Sequence, residues 1–162
     1  MDSAVQWFST HMGSMPPQLA VMLVSMLPIV ELRGGIPLAR ILELPLFQAI
    51  FFSVLGNIIP IPFILLFIRK IFDWLRPTKH IGGLIKRLEK RAMNKSDSIA
   101  NAEFWGLAVF VGVPLPGTGG WTGALIAALL EIDVKKASLA ILLGIAMAAT
   151  IMSLISYGIF HM

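Results

Sequence analysis

Long apolar runs, separated by short polar or glycine- and proline-rich stretches, dominate the chain. Two of these runs cover residues 46–68 and 137–160 and are 23 and 24 residues long. At about 1.5 Å of rise per residue, a helix of either length exceeds the roughly 30 Å hydrocarbon core of a bilayer. The pattern therefore predicts two transmembrane helices.

Four further apolar stretches are too short to cross a bilayer as separate helices. They cover residues 19–30, 36–44, 104–113 and 121–130. Helices of about ten to twelve residues reach roughly half of the core, so each pair is predicted to form a re-entrant helical hairpin. The hairpins are residues 19–44, with a tip at 31–37, and residues 104–131, with a tip at 114–120. Alternatively, the arms join into full crossings, such as a kinked helix over residues 19–41, because spanning helices tolerate proline and glycine when neighbours satisfy the freed backbone groups.

The two halves of the chain carry the same short pattern. Leu42-Glu43-Leu44 precedes Gly56, and Leu130-Glu131-Ile132 precedes Gly144, with the glycine thirteen residues after the glutamate in both copies. Five of the fifteen aligned positions are identical. Paired interrupted segments in two halves of a membrane protein point to the substrate site of a transporter. The predicted fold is an all-α integral membrane protein with two inverted repeats, each a re-entrant hairpin followed by a transmembrane helix.

The composition agrees with a membrane protein. Hydrophobic residues make up 57% of the chain and charged residues 14%, and the mean hydropathy of +0.83 leaves too little polar surface for a soluble globule. The chain has no cysteine and its three histidines are far apart, so no disulfide, metal site or other cofactor is expected. Because HExxH, GxSxG and P-loop motifs do not occur, no enzymatic activity is expected.

Positive charge is concentrated in one segment. Nine of the thirteen basic residues fall between Arg69 and Lys95. Short loops rich in Lys and Arg remain on the cytoplasmic side, so residues 69–103 are predicted to be the cytoplasmic linker of a multi-pass plasma-membrane protein, with no nucleic-acid partner. Basic residues of an amphipathic stretch in the linker either bind anionic lipid or belong to a solvated connector: Lys86, Arg87, Lys90 and Arg91. The predicted domains are an N-terminal interfacial segment at 1–18, a first repeat at 19–68, the linker, and a second repeat at 104–162.

The first predicted tip contains two charges in apolar surroundings. Glu31 and Arg33 flank Leu32, and Gly34, Gly35 and Pro37 complete the tip. Placing either charge at membrane depth costs at least about 2.5–3.5 kcal/mol unless it is paired or hydrated. We therefore predict that the tip faces a water-filled cavity, where Glu31 exchanges a proton and Arg33 binds an anionic headgroup such as phosphate. The alternative is a structural ion pair at an exposed turn.

The second predicted tip offers backbone groups rather than charges. Its candidate ligand-binding residues are Pro114, Pro116, Gly117, Thr118, Gly119, Gly120 and Thr122. Freed peptide N–H groups and the two threonine hydroxyls are predicted to face a ligand, although a kink that permits close helix packing is the alternative. Asn57 in the first spanning helix is predicted to hydrogen-bond to a tip or to a packed helix. Glu43 and Glu131 are predicted to cap the starts of the spanning helices.

Two stretches carry a resemblance to a known family. Residues 28–39, PIVELRGGIPLA, and residues 112–124, GVPLPGTGGWTGA, together resemble the signature stretches of the small multidrug export family, and the likeness extends over roughly residues 19–160. The resemblance implies the inverted re-entrant-hairpin architecture of the DedA superfamily, whose members are implicated in moving polyprenyl-phosphate carriers and other lipids between leaflets with ion coupling. It places the acidic tip residue of that superfamily on Glu31. The basic residues of its second tip have no equivalent in residues 114–123.

These features predict a small membrane transporter that acts as a homodimer, because one copy offers little protein with which to enclose a hydrated cavity. The expected substrate is an amphipathic anion such as a polyprenyl or lipid phosphate, moved with proton or other ion coupling. Proton-coupled export of lipophilic cations, with Glu31 binding drug and proton in turn, is one alternative. A non-transporting membrane organising factor that acts through the basic linker is another.

Overall fold

The computed structural model describes residues 15–75 and 103–158, and these residues are mostly helical, with no strand among them. The predicted lipid-binding residues Lys86, Arg87, Lys90 and Arg91 and most of the predicted segment 1–18 lie outside the described residues. In chain order the helices are α1 (Pro17–Met26), α2 (Glu31–Ile41), α3 (Leu46–Ile58), α4 (Pro60–Leu75), α5 (Glu103–Gly112), α6 (Gly120–Leu129) and α7 (Val134–Ser153), which continues into a π-helical segment (Leu154–Gly158). The prediction of an all-helical chain is confirmed for the described part.

Two continuous stretches are long and apolar enough to span a membrane. The first is Leu46–Ile68, with 23 residues, and it matches the predicted span at both ends. It contains α3 and the start of α4, which are separated only by a turn at Ile59 before Pro60. The second is Val134–Gly158, with 25 residues, and it begins three residues earlier than predicted. Helix α4 continues to Leu75, beyond the predicted end of the first span.

The described residues divide into two compact units. Unit 1 contains residues up to Ile59 and from Ala146 onward, and unit 2 contains Pro60–Ile145. In unit 1, α1, α2 and α3 pack against one another around a core formed by Val21, Ala39, Leu44 and Ala49. In unit 2, α6 packs against α4 and α5. Each unit therefore contains one pair of short helices connected by a turn, packed against part of a longer helix.

The turn of the first helix pair is not where the sequence placed it. Residues 27–30 form the turn, and residues 31–37, predicted to be an open tip, are the first two turns of α2. The chain bends at Pro28, which cannot donate a helical hydrogen bond. Gly35 serves helix packing instead, because a Cβ atom at this position would collide with the Ser25 hydroxyl of α1. Pro37 is accommodated inside α2.

The turn of the second helix pair is where the sequence placed it. Helix α5 ends at Gly112, α6 begins at Gly120, and the backbone between them is irregular. Gly117 and Gly119 have φ angles of 77° and 127°, which residues with a Cβ atom rarely adopt. The glycines and prolines of residues 114–120 therefore end one helix and start the next.

The repeated glutamates end the short helices. Glu43 and Glu131 have φ angles of 59° and 61°, and each is followed by a residue whose N–H donates back across the turn. The Leu44 N–H donates to the Ala39 carbonyl at 2.9 Å, and the Ile132 N–H donates to the Ala127 carbonyl at 3.0 Å, the Schellman arrangement at a helix C-terminus. The start of α7 is capped by Asp133, whose Oδ1 atom accepts from the N–H groups of Lys135 and Lys136, both at 3.1 Å. The glutamates thus terminate α2 and α6 rather than cap the spanning helices.

The repeated glycines also occupy equivalent places. A Cβ atom at Gly56 of α3 would collide with the backbone carbonyl of Met22 in α1. A Cβ atom at Gly144 of α7 would lie 2.6 Å from the backbone carbonyl oxygen of Ala108 in α5. In each unit the long helix therefore packs closely against the first helix of the pair, and the sequence repeat is matched by repeated local packing.

Tyr157 in the π-helical segment anchors the end of α2. Its hydroxyl donates to the Leu44 carbonyl at 2.8 Å, and the Arg40 guanidinium lies 5.5 Å from the centre of its ring. We expect Tyr157→Phe to lower the free energy of unfolding by about 0.5–1.5 kcal/mol, because the phenylalanine keeps the ring contacts and loses only the hydrogen bond. Denaturant unfolding in detergent measures this change. An unchanged midpoint would show that the bond contributes nothing to stability.

Candidate functional site

Glu31 is the first residue of α2 and is almost completely buried, with 2% of its surface exposed. Its φ angle is 52°, in the left-handed region that is unfavourable for a residue with a side chain. Arg33 is half-buried two residues later, and its charge interacts electrostatically with Glu31. A buried carboxyl group on a strained backbone position is typical of a functional rather than a merely structural residue.

Helices α2 and α3 place further polar side chains near Glu31. Gly35 lies one helical turn after Glu31 on the same face of α2, and a Cβ atom on it would be 2.9 Å from the Ser53 hydroxyl of α3. Asn57 lies one turn after Ser53 on the same face of α3. A four-residue connection joins α2 and α3, which pack against each other; in an antiparallel pair with the contact between Gly35 and Ser53, Asn57 would lie at the level of Glu31. We call Glu31, Ser53 and Asn57 the polar cluster.

Two members of the polar cluster have unmatched hydrogen-bonding groups. Ser53 is fully buried and Asn57 is 1% exposed. The Ser53 Oγ atom and both the Nδ2 and Oδ1 atoms of Asn57 lack a hydrogen-bond partner among the described residues. Each such group costs about 1–3 kcal/mol when it is buried without a partner. Ser25, by contrast, is also fully buried, but its hydroxyl donates to the Val21 carbonyl of its own helix at 2.8 Å.

The second tip uses its main hydroxyl to hold its own shape. The Thr118 Oγ1 atom lies 2.9 Å from the Val113 carbonyl oxygen and 2.8 Å from that of Leu115, and its single proton is directed at this pair of acceptors. The Thr118 N–H also donates to Leu115, at 3.2 Å. Pro116 and Gly117 are exposed, whereas Pro114 and Thr122 are half-buried and Gly119 and Gly120 are buried. The loop is therefore ordered by its own hydrogen bonds.

The predicted site residues fall into two groups. Glu31, Arg33, Gly34, Gly35, Pro37 and Asn57 belong to unit 1, and the residues of the second tip belong to unit 2. Within unit 1 the structure places Gly35 against Ser53, which was not among the predicted site residues, and buries Glu31 and Asn57 on the same two helices. The signal for Ser53 was its four-residue spacing from Asn57 in a helix whose other polar residue, Gln48, lies near its start. Every buried polar side chain in the described part, including Ser153 and Ser156 near the end of the chain, belongs to unit 1.

The described residues contain no group of acidic, histidine or cysteine side chains that could hold a metal ion. The polar cluster offers a carboxyl group, a hydroxyl group and an amide, all buried, on two helices that pack against each other. Such a set can take up and release a proton and can hydrogen-bond to small polar molecules.

Comparison with known protein families identifies a related family. The family model described as "Putative small multi-drug export protein" matches residues 31–151, about three quarters of the chain, beginning at Glu31. No curated protein and no solved structure is detectably similar to the chain. The matched region contains both stretches on which the resemblance rests, except for the first three residues of the first stretch. The chain therefore belongs to the family of putative small multi-drug export proteins.

Proposed function

We propose that the protein is a proton-coupled transporter of the plasma membrane, in which Glu31 carries the proton. The observation that carries this proposal is the burial of Glu31 at the start of α2, together with the burial of Ser53 and Asn57 on α3, which packs against α2. Ionisable residues inside membrane helices are costly and are retained chiefly for ion and substrate pathways. Membership of an export protein family agrees with transport as the function.

The helix pairs are proposed to be re-entrant. The four short helices have ten or eleven residues, and helices of this length extend only about 15–17 Å. The turn of the first pair exposes apolar side chains, with Ile29 93% exposed beside exposed Leu27 and Pro28. The opposite end of the pair carries the exposed Glu43. A re-entrant hairpin requires an apolar turn inside the lipid and polar residues at the opposite end, which lies at the membrane surface.

Lipid is also the proposed surrounding of the first spanning stretch. Phe47 and Phe63 are 79% and 63% exposed, and each stacks on another exposed phenylalanine one turn later in the chain. Exposed aromatic pairs on a long apolar helix suit contact with acyl chains or with a second copy of the chain. We propose that the transporter works as a homodimer with inverted repeats and a cytoplasmic linker, and we propose no enzymatic step.

The proposed substrate is an amphipathic anion such as a polyprenyl or lipid phosphate. Arg33 is half-buried, with its Nε atom buried, and its guanidinium is proposed to hold the phosphate group through paired hydrogen bonds. Protonation of Glu31 would remove the negative charge that opposes an anion and so favour its binding. Release of the proton would restore that charge and promote release of the substrate. Because Glu31 and Arg33 are only two residues apart in α2, the charge of Glu31 would couple proton movement to the movement of the anion bound at Arg33.

The second candidate is proton-coupled export of lipophilic cations, and the family description favours it. In this mechanism ionised Glu31 binds the cation and protonation releases it. The two candidates differ in what they require of Arg33, because its positive charge assists an anion and opposes a cation.

Transport by the purified full-length protein in proteoliposomes under a pH gradient tests the proposal. The probes are a fluorescent short-chain phosphatidic acid, followed by quenching in the outer leaflet, and the cation tetraphenylphosphonium. We expect Glu31→Gln and Arg33→Gln each to reduce movement of the phosphatidic acid at least tenfold. Glu43→Gln is the matched control, because Glu43 is exposed at the end of the same helix.

Each outcome of this experiment has a separate meaning. Movement of tetraphenylphosphonium that depends on Glu31 but not on Arg33 would support the cation mechanism and overturn the anionic substrate. Unchanged movement of both probes in both variants would overturn transport through Glu31. If neutralising the linker residues Lys86, Arg87, Lys90 and Arg91 abolished function in cells while the Glu31 and Arg33 variants did not, the protein would be a membrane organising factor.

A further inference from the structure

We infer that Ser53 and Asn57 hold internal water molecules that form a proton path to Glu31. This inference rests on the proposed role of Glu31 as the proton-carrying group and adds the route by which the proton reaches it. Three independent features support it: the chemistry of the unmatched polar atoms, their position, and a comparison between the two repeats.

The unmatched atoms require a partner that can both donate and accept hydrogen bonds. The Asn57 Nδ2 atom is a donor, its Oδ1 atom is an acceptor, and the Ser53 hydroxyl is both. A bare metal cation would bind only the oxygen atoms and leave the amide N–H groups unmatched. Water satisfies all of them, and buried water in proteins typically bridges such otherwise unsatisfied groups. The set of unmatched atoms therefore suits water better than a bare metal cation.

The position of these atoms suits a path to Glu31. Ser53 and Asn57 are successive members of one face of α3, about 6 Å apart along the helix axis. Ser53 lies next to Gly35, which follows Glu31 by one turn of α2, and Asn57 lies one turn after Ser53 on α3, at the level that we infer for Glu31. Because only 2% of Glu31 is exposed, a proton needs hydrogen-bonding groups along its route. Ser53 and Asn57 are placed to supply them.

The second repeat shows that the packing does not require polar residues here. Positions eighty-eight residues apart are equivalent, as for Glu43 and Glu131 or Gly56 and Gly144. By this relation Ser53 corresponds to Ile141 and Asn57 to Ile145, and both isoleucines are buried as completely as their counterparts.

Contacts around the equivalent glycines agree with this relation. Gly35 faces Ser53, and its equivalent, Gly123, faces Ile141, whose Cγ1 atom would lie 3.9 Å from a Cβ atom on the glycine. At the equivalent of Glu31 the second repeat has Gly119. Where the carboxyl group is missing, the hydroxyl and amide groups are missing too. Polar residues at these two positions of α3 therefore occur in the repeat that contains Glu31, and the fold shared by the two repeats does not require them.

Infrared spectroscopy of the full-length protein in phospholipid vesicles tests the proton path. The protonated Glu31 carboxyl band is identified by its loss in Glu31→Gln, and its shift after transfer into D₂O measures how fast the proton exchanges. We expect Asn57→Leu to slow this exchange at least tenfold and Ser53→Ala to slow it severalfold. Ser25→Ala is the matched control, because the Ser25 hydroxyl is satisfied within its own helix, and it should leave the exchange rate unchanged.

Stability separates a proton path from a structural role. If Asn57 served only to join helices, Asn57→Leu would lower the thermal unfolding temperature. We expect the temperature to stay the same or rise, because an unmatched polar group is replaced by an apolar group of similar size, as in the second repeat.

The outcomes also distinguish this inference from the proposed function. Exchange that is unchanged in both variants, or a Glu31 that shows no protonated band between pH 4 and pH 9, would overturn the proton path. Slowed exchange together with transport that does not need Glu31 would overturn the proposed function and leave the path intact.

Discussion

Replacing Gly56 with alanine is expected to lower the free energy of unfolding of the protein by about 3 kcal/mol, at the upper end of the range for overpacked sites. The added Cβ atom would collide with the backbone carbonyl of Met22, and a backbone atom cannot rotate away as the end of a side chain can. Helices α1 and α3 would have to separate, with loss of contacts that hold the first helix pair against α3. Thermal unfolding of the purified protein in detergent measures the effect.

The chain provides both a repeat and a control for this experiment. Gly144→Ala should be destabilising for the same reason, because its Cβ atom would lie 2.6 Å from the Ala108 carbonyl oxygen. Gly158→Ala should change stability by less than about 0.5 kcal/mol, since no atom lies within 4 Å of a Cβ atom there and surface substitutions are usually this small. Similar unfolding temperatures for all three variants would contradict the close packing of α1 against α3.

The sequence predicted those features of the fold that follow from composition and length. The bounds of Leu46–Ile68 were predicted correctly because this stretch of 23 residues is mostly apolar and contains no charged residue. The second tip was located correctly because residues 114–120 contain both prolines that cannot continue a helix and glycines that do not favour one. The first tip was placed wrongly because glycine either forms a turn or permits close packing inside a helix, and the sequence pattern does not distinguish the two. Gly35 permits close packing inside α2, while the turn itself depends on Pro28.

The candidate site was predictable only in part, for a similar reason. Glu31 was evident because a carboxyl group in an apolar stretch is rare and costly. Asn57 was selected, but Ser53 was not, because a buried serine in a membrane helix often bonds to its own backbone, as Ser25 does. Whether a hydroxyl is satisfied within its helix depends on its rotamer and on its neighbours, and the sequence does not contain this information directly. The comparison between the two repeats then showed that packing does not require a serine at position 53, because the equivalent residue is Ile141.

Single cysteines on either side of the first helix pair are expected to react with a membrane-impermeant maleimide from the same face of the membrane. Pro16→Cys and Pro45→Cys mark the two ends, both exposed, and the native chain contributes no cysteine of its own. A re-entrant hairpin returns to the side from which it started, whereas a single kinked crossing over residues 19–41 would place the two cysteines on opposite faces. Labelling of intact and of opened right-side-out vesicles distinguishes these arrangements.

A third cysteine at the turn determines whether the hairpin enters the lipid. We expect Ile29→Cys to react at least tenfold more slowly than Pro45→Cys from that face, although 93% of Ile29 is exposed, because the reactive thiolate does not form in surroundings of low dielectric constant. Equal rates at the turn and at the base would mean that the turn lies in water. The apolar exposure of Leu27, Pro28 and Ile29 would then need a protein partner, and Glu31 would lose the low-dielectric surroundings on which its role as a proton carrier depends.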